Sequence, residues 1–355
     1  MKNRKYRMIL AAFLIFSVIL TGCDRNATDE QIPSSGTETG SEKVEEAQDE
    51  VKESSGTEEI PDTEDNYTAD TKVWDVIDDP DFEGYGRLIF PANRTIDDNM
   101  TLAEVRSILT WYNNVNTDRT VEIINYMKNK AEEGEQIFYD IYTDEEKAAD
   151  PAKENTGLFY FKGDPGKRFA IVNAGGGFVY VGAMHDSFPH ALELSKKGYN
   201  GFALIYRPGA ETAREDLARA IAFVHEHADE LEVNTADYSL WGGSAGARMA
   251  AWLGSYGTAA FGEAEYPIPG AVIMQYTGLS EVNGNEPPTY ANVGTSDGIA
   301  SYRTMESRIN QIKENGTDAE IEIFDDLPHG FGLGDGTIAE GWIDNAVRFW
   351  ENQMD

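Results

Sequence analysis

The sequence predicts an α/β protein built on a doubly wound, mainly parallel sheet. Three observations predict it. From Phe169 to Trp350 short apolar runs alternate with segments of helical apolar spacing, the rhythm of strand–helix–strand units. Apolar residues run up to Trp241 and break into Gly242-Gly-Ser-Ala-Gly246 ahead of a run of small residues, which reads as strand, sharp turn and helix. An earlier strand, Phe169-Ala-Ile-Val172, runs into Asn173-Ala-Gly-Gly-Gly-Phe178. Three successive glycines let backbone N–H groups face a ligand there.

The chain has 355 residues and a formal net charge of −34. So much negative charge argues against nucleic acid and anionic membrane surfaces as partners. Lys2, Arg4, Lys5 and Arg7 precede a nearly unbroken apolar run from Met8 to Leu20. A basic start, a short apolar core and small residues make a secretory signal over residues 1–23, too short for a membrane span. Leu20-Thr-Gly-Cys23 resembles the lipobox of bacterial lipoproteins. That resemblance implies lipidation at Cys23 and a place on the extracytoplasmic face of the cell membrane. Cys23 is the only cysteine, so no intrachain disulfide is available. Residues 24–72 carry sixteen acidic against four basic residues and almost no apolar periodicity; a disordered acidic linker is expected.

The folded domain is expected over residues 73–355, opening with a helical segment over 73–134. Gly86-Arg-Leu-Ile-Phe90 reads as a short strand or an extended packing segment. Thr101 and Glu104 have capping-box spacing ahead of Leu102, Val105, Leu109 and Tyr112. A second helix starts after Asn116-Thr117, carries Val121, Ile124 and Met127, and ends before Gly134. This segment is a candidate cap over the site or packing for the sheet edge. Gln136–Tyr142 and Gly157–Lys162 read as a hairpin forming an antiparallel edge. Strands follow at Phe202–Tyr206, Tyr238–Trp241, Ala271–Gln275, Pro288–Val293 and Ile321–Phe324. The helices between them run over Glu211–Glu230, from Tyr302 to the Asn315-Gly316 stop, and from Ala339 to Trp350.

Gly242, Ser244 and Gly246 fit G-x-S-x-G, a turn that projects a serine Oγ above a sheet with a helix N-terminus behind it. Together with the earlier glycine turn, the stretch from about Gln136 to Trp350 resembles the α/β-hydrolase fold. It is most similar to the esterase and lipase group with a His-Gly-Gly-Gly loop, which includes bacterial deacetylases and feruloyl esterases acting on plant polysaccharide. Tyr206-Arg-Pro208, Glu211 and Asp216 resemble that group's Tyr-Arg segment and following helix. The chain departs from the pattern at Ala174, where the group usually has histidine.

The resemblance implies an oxyanion hole from the N–H groups of Gly176, Gly177 and Ala245. It places the general base at His329, in Leu327-Pro-His-Gly-Phe331 just past the last strand. His185 and His190 lie closer to the glycine turn and are rivals; His225 and His227 flank a helix stripe. Asn292-Val-Gly-Thr-Ser-Asp297 ends a strand and gives the chain order Ser244, Asp297, His329, with Asp325 and Asp326 as competing acids. This chemistry calls for no metal and no cofactor. No G-K-[ST] follows the glycines, so a phosphate loop is not indicated.

The reading is a serine carboxylic-ester hydrolase acting on a small-molecule or oligosaccharide ester, held at the membrane through Cys23. Two alternatives share the fold. One is a prolyl oligopeptidase-like serine peptidase, for whose usual propeller the chain has no room. The other is a catalytically inactive binding lipoprotein, against which the intact Ser, Asp and His argue.

Overall fold

The computed structural model describes residues 66–354. The expected signal, Cys23 and the linker up to residue 65 lie outside the described residues. Eight strands form one sheet: β1 (Phe138–Tyr139), β2 (Gly157–Phe161), β3 (Arg168–Asn173), β4 (Asn200–Ile205), β5 (Asn234–Gly243), β6 (Ala271–Gln275), β7 (Thr289–Gly294) and β8 (Ala319–Phe324). Their order is β1-β2-β4-β3-β5-β6-β7-β8. β1 and β2 pair antiparallel at one edge, and β4 through β8 are parallel. The longer helices are α1 (Thr117–Glu132), α2 (Phe188–Lys196), α3 (Ala210–Glu226), α4 (Ala245–Tyr256), α5 (Tyr302–Glu314) and α6 (Trp342–Glu351).

The central strands are apolar runs because helices cover both faces of a parallel sheet. Every residue of β2, β4, β6 and β7 is buried. The topology then decides where a ligand sits. From β3 the chain crosses to β4 on one side, then returns past β3 to β5 on the other. A reversal of this kind opens a crevice at the carboxyl ends of the two diverging strands. The residues there are Asn173 and Gly242, paired in register. Each leads into one of the two glycine turns.

Several elements differ from expectation. Gly86–Ile89 is a helical turn, not a strand. A side chain at Gly86 would sit 2.3 Å from the Ile77 carbonyl oxygen, so close helix packing selects glycine there. Leu102–Ile108 is a 3₁₀ run, with the Glu104 carboxylate accepting from the Thr101 N–H. It ends at Ile108, short of Tyr112: Leu109 leaves helical geometry at φ −98° and ψ 72°, and Trp111 then takes a left-handed φ of 73°. β1 and β2 are not joined by a tight hairpin, since helical turns at Asp144–Ala149 and Pro151–Asn155 intervene. α2 has no counterpart among the expected elements.

Packing also reaches further toward the N-terminus than the expected boundary at Val73. The Tyr67 N–H donates to Asn125 Oδ1 at 2.8 Å, and Asn125 Nδ2 donates back to the Tyr67 carbonyl at 3.0 Å. The Tyr67 ring is buried beneath Lys128, and Lys72 bridges to Thr101. A chain beginning at Val73 loses this ring and leaves Asn125 buried with neither partner. It is expected to be less stable than one beginning at Asn66 by roughly 2–4 kcal/mol. Calorimetry on the two chains checks this, and equal melting temperatures would return the boundary to Val73.

Candidate active site

Ser244 stands at the turn between β5 and α4 with φ 52° and ψ −110°. Non-glycine residues rarely hold such a conformation, and holding it costs about 1–3 kcal/mol. The surroundings impose it. A Cβ on Gly246 would lie 1.9 Å from the Asn173 carbonyl oxygen, and one on Gly242 2.3 Å from the Gly246 carbonyl carbon. Only glycine at both positions lets the turn press onto the end of β3, which lifts the serine above the sheet.

His329 follows β8 in a loop and is 4% exposed. Its Nε2 lies 3.1 Å from Ser244 Oγ, and its Nδ1 lies 2.7 Å from Asp297 Oδ2. A carboxylate accepts only, so Nδ1 carries the proton and Nε2 turns its lone pair to the serine hydroxyl. The other Asp297 oxygen accepts from the N–H groups of Ile299 and Ala300, both at 2.7 Å. Three hydrogen bonds and a fully buried side chain fix this carboxylate.

The glycine turn after β3 faces the serine. Gly176 and Gly177 have φ of 124° and 64°, values that β-carbon-bearing residues resist. Their N–H groups, and that of Ala245 at the first position of α4, donate to no acceptor among the described residues. Three donors left open beside a serine suit an anionic oxygen. Ala174, where the resembled group has histidine, is held by other means. Its carbonyl accepts from the Tyr206 hydroxyl at 2.6 Å. Arg207 anchors that tyrosine's segment through a buried ion pair with Asp216 at 2.7 Å.

The rival groups stand elsewhere. His185 is buried, with Nε2 3.0 Å from the Gly330 carbonyl, and burial pushes its pKa down to about 4. His190 lies under Trp342 with Nε2 2.8 Å from Gln275 Oε1, and burial pushes its pKa down to about 3. Neither reaches Ser244. His225 packs against Phe169 and Tyr238, and half-buried His227 pairs with Glu230. Asp325 and Asp326 are exposed turn residues; the Asp326 N–H donates to Thr295 Oγ1 and φ there is 56°. Among the described residues no three His, Cys, Asp or Glu side chains converge as metal ligands would.

Sequence reasoning missed how far the N-terminal segment enters the site. The Asn113 amide donates to the His329 carbonyl at 2.7 Å, and the Asn113 N–H to the Gly330 carbonyl at 3.0 Å. The Trp111 ring edge would meet a side chain at Gly177 at 3.1 Å, yet Trp111 is 48% exposed. The segment therefore walls the site between the glycine turn and the His329 loop. It also missed Asp186 and Tyr276, buried beside the triad. For the N-terminal segment the Asn113-Asn114 pair was the available signal, a turn mark between the two expected helices.

Residues 162–304 match the BD-FAE family model. Among solved structures the chain is similar to the acetyl ester-xyloside bifunctional hydrolase from Caldicellulosiruptor lactoaceticus, at 20% identity over 61% of this chain and 95% of that one, with a TM-score of 0.53. It is also similar to propionate-bound esterase Est2 from Thermogutta terrifontis, at 21% identity over 56% and 89%, TM-score 0.49. A third is MGS-M1, an α/β hydrolase from a Medee basin deep-sea metagenome library, at 19% identity over 56% and 92%, TM-score 0.49. No curated protein sequence matches. The strand order and the first of these likenesses show the α/β-hydrolase fold.

Proposed function

We propose that this α/β-hydrolase-fold chain is a serine carboxylic-ester hydrolase. One observation carries the reading: Ser244, His329 and Asp297 lie in a single hydrogen-bonded line that ends beside three open backbone N–H groups. In the reaction His329 Nε2 takes the Ser244 proton as Oγ attacks the ester carbonyl. The oxygen becomes negative and is met by the N–H groups of Gly176, Gly177 and Ala245. The imidazolium returns its proton to the leaving alcohol as the C–O bond breaks. Water, deprotonated by the same nitrogen, then attacks the acyl-serine and releases the acid. Asp297 stays ionised throughout and holds the imidazole in its tautomer.

Carbohydrate esters are the substrate class this reading places first. The half-exposed Trp111 indole beside Gly177 offers a flat apolar face next to the reacting carbonyl, suited to the face of a sugar ring. The test is hydrolysis of p-nitrophenyl acetate and of acetylated xylo-oligosaccharides against a dipeptide p-nitroanilide. Turnover of the esters without the amide is expected. Amide cleavage at comparable rate would move the reading to a peptidase, and no turnover with either to a binding protein.

A further inference from the structure

Among the described residues, Asp186 and Asp216 are the aspartates buried in backbone and side chain alike. Asp216 pairs with Arg207. Asp186 has no Lys or Arg partner among the described residues. A buried carboxylate without a cation is costly unless hydrogen bonds satisfy it and something is gained from keeping it.

Its surroundings are built from four separate parts of the chain. Oδ2 accepts from the Gly175 N–H at 2.7 Å and from the Tyr112 hydroxyl at 3.0 Å. Oδ1 accepts from the Tyr276 hydroxyl. The carboxylate presses directly under the serine turn: a Cβ on Gly243 would lie 2.4 Å from Oδ2 and 2.5 Å from Oδ1. One on Gly175 would lie 2.9 Å from the Ser244 Cβ. Tyr276, in turn, sets its ring edge against the His329 imidazole, centroids 5.0 Å apart.

We propose that Asp186 is a positioning residue for catalysis, whose ionised carboxylate holds the oxyanion loop through Gly175 and the His329 ring through Tyr276, and whose protonation releases one or both. The inference rests on the esterase reading of Ser244. Its logic is a count of hydrogens. All three partners donate, so an ionised carboxylate satisfies them all. A carboxylic acid adds a fourth hydrogen; the Gly175 N–H cannot accept it, and a tyrosine oxygen can take it only by turning its own O–H off the carboxyl. One contact must then open. Opening at Gly175 frees the peptide next to the Gly176 donor; opening at Tyr276 frees the ring beside the base.

The titratable groups facing Asp186 are Tyr112, Tyr180, Tyr206, Tyr276 and His329. Burial holds all four tyrosines above their usual range, so they stay neutral donors. Burial also pushes the Asp186 carboxyl up to about 6, opposed by the hydrogen bonds from Tyr276, Gly175 and Tyr112 and by the charge of His329. The protonation that disturbs the site therefore falls where an esterase assay reads it.

The experiment is kcat/KM for p-nitrophenyl acetate from about pH 4.5 to 8 in wild type, Asp186→Asn, Tyr276→Phe and Ser244→Ala, with melting temperatures alongside. Wild type should fall on the acid side with a limiting log–log slope of about two, one proton for the base and one for Asp186. Asp186→Asn should show a slope of one. Its kcat near pH 8 should be lower by roughly tenfold to a hundredfold with KM within about twofold, less than the loss of a whole oxyanion donor. Tyr276→Phe removes a donor from Oδ1 without changing shape. It should keep the slope of two with its upper limb moved toward neutral pH, and it decides the matter if Asp186→Asn does not fold. A merely structural role would lower melting temperatures and leave the profiles alone. Wild type with a slope of one, Asp186→Asn with a slope of two, or an unmoved Tyr276→Phe profile overturns the proposal. If Ser244→Ala still hydrolyses the ester, the esterase reading falls and this proposal with it. If Ser244→Ala is inactive while the profiles fail, only the positioning role is lost.

Discussion

Replacing Ser244 by alanine is expected to remove fluorophosphonate labelling and to lower kcat by on the order of 10⁴–10⁶. At about 1.4 kcal/mol per tenfold this is roughly 6–8 kcal/mol of transition-state stabilisation. Loss of that size follows from geometry, because among the described residues it is Ser244 Oγ that stands 3.1 Å from His329 Nε2. The open N–H groups of Gly176, Gly177 and Ala245 remain, so a residual rate above that of water is expected. Stability should move the other way in a companion variant. Alanine keeps the strained φ of 52° and should melt close to wild type. Glycine relieves the strain, so Ser244→Gly should be just as inactive yet more stable by about 1–3 kcal/mol. Labelling of Ser244→Ala at another residue, with hydrolysis retained, would remove Ser244 from the nucleophile's role.

The parts of this molecule legible in sequence are those whose cause is local. β3 and β5 are apolar runs ended by glycines, and the glycines are required by contacts within the turn or across one strand pair. The helices over Thr117–Glu132 and Tyr302–Glu314 begin and stop at residues whose side chains or backbone make the ends. The illegible parts have distant causes. Tyr67 sits in an acidic, polar stretch, and its burial is explained by Asn125 and Lys128, far along the chain. Gly86 is glycine because the Ile77 carbonyl leaves no room for a side chain, and Tyr112, beyond the 3₁₀ run, finds its hydroxyl's partner in Asp186. Asp186 illustrates the limit most sharply. His185-Asp186 reads as an unremarkable pair, and its surroundings come from residues 112, 175 and 276, which only the sheet topology brings together. The same dependence bears on the histidines. His185 and His190 are nearer than His329 to the glycine turn in sequence, yet their helical segments point them into the core, where burial keeps them neutral.

Asp297→Asn is expected to lower kcat by about 10⁴ while the protein stays folded. The cause lies in which atom can accept. Asp297 Oδ2 takes the His329 Nδ1–H at 2.7 Å, while Oδ1 is bound by the N–H groups of Ile299 and Ala300. In asparagine one of the two atoms becomes an N–H₂ donor. It cannot face two backbone N–H groups, so the oxygen must stay on that side and the amide nitrogen turns to His329. A donor opposite Nδ1 forces the imidazole into the tautomer with its proton on Nε2, which then has no lone pair for the serine. The backbone contacts that fix the loop survive, so the melting temperature should change little. Asp325→Asn and Asp326→Asn remove exposed charges that make no side-chain contact with His329. Exposed pairs are worth about 0–1 kcal/mol, which confines both variants to within about tenfold of wild-type kcat. Steady-state kinetics on the three folded variants decides between them. A severe loss in Asp325→Asn or Asp326→Asn beside an active Asp297→Asn would place the orienting acid in the loop after β8 and leave Asp297 a helix-entry turn residue.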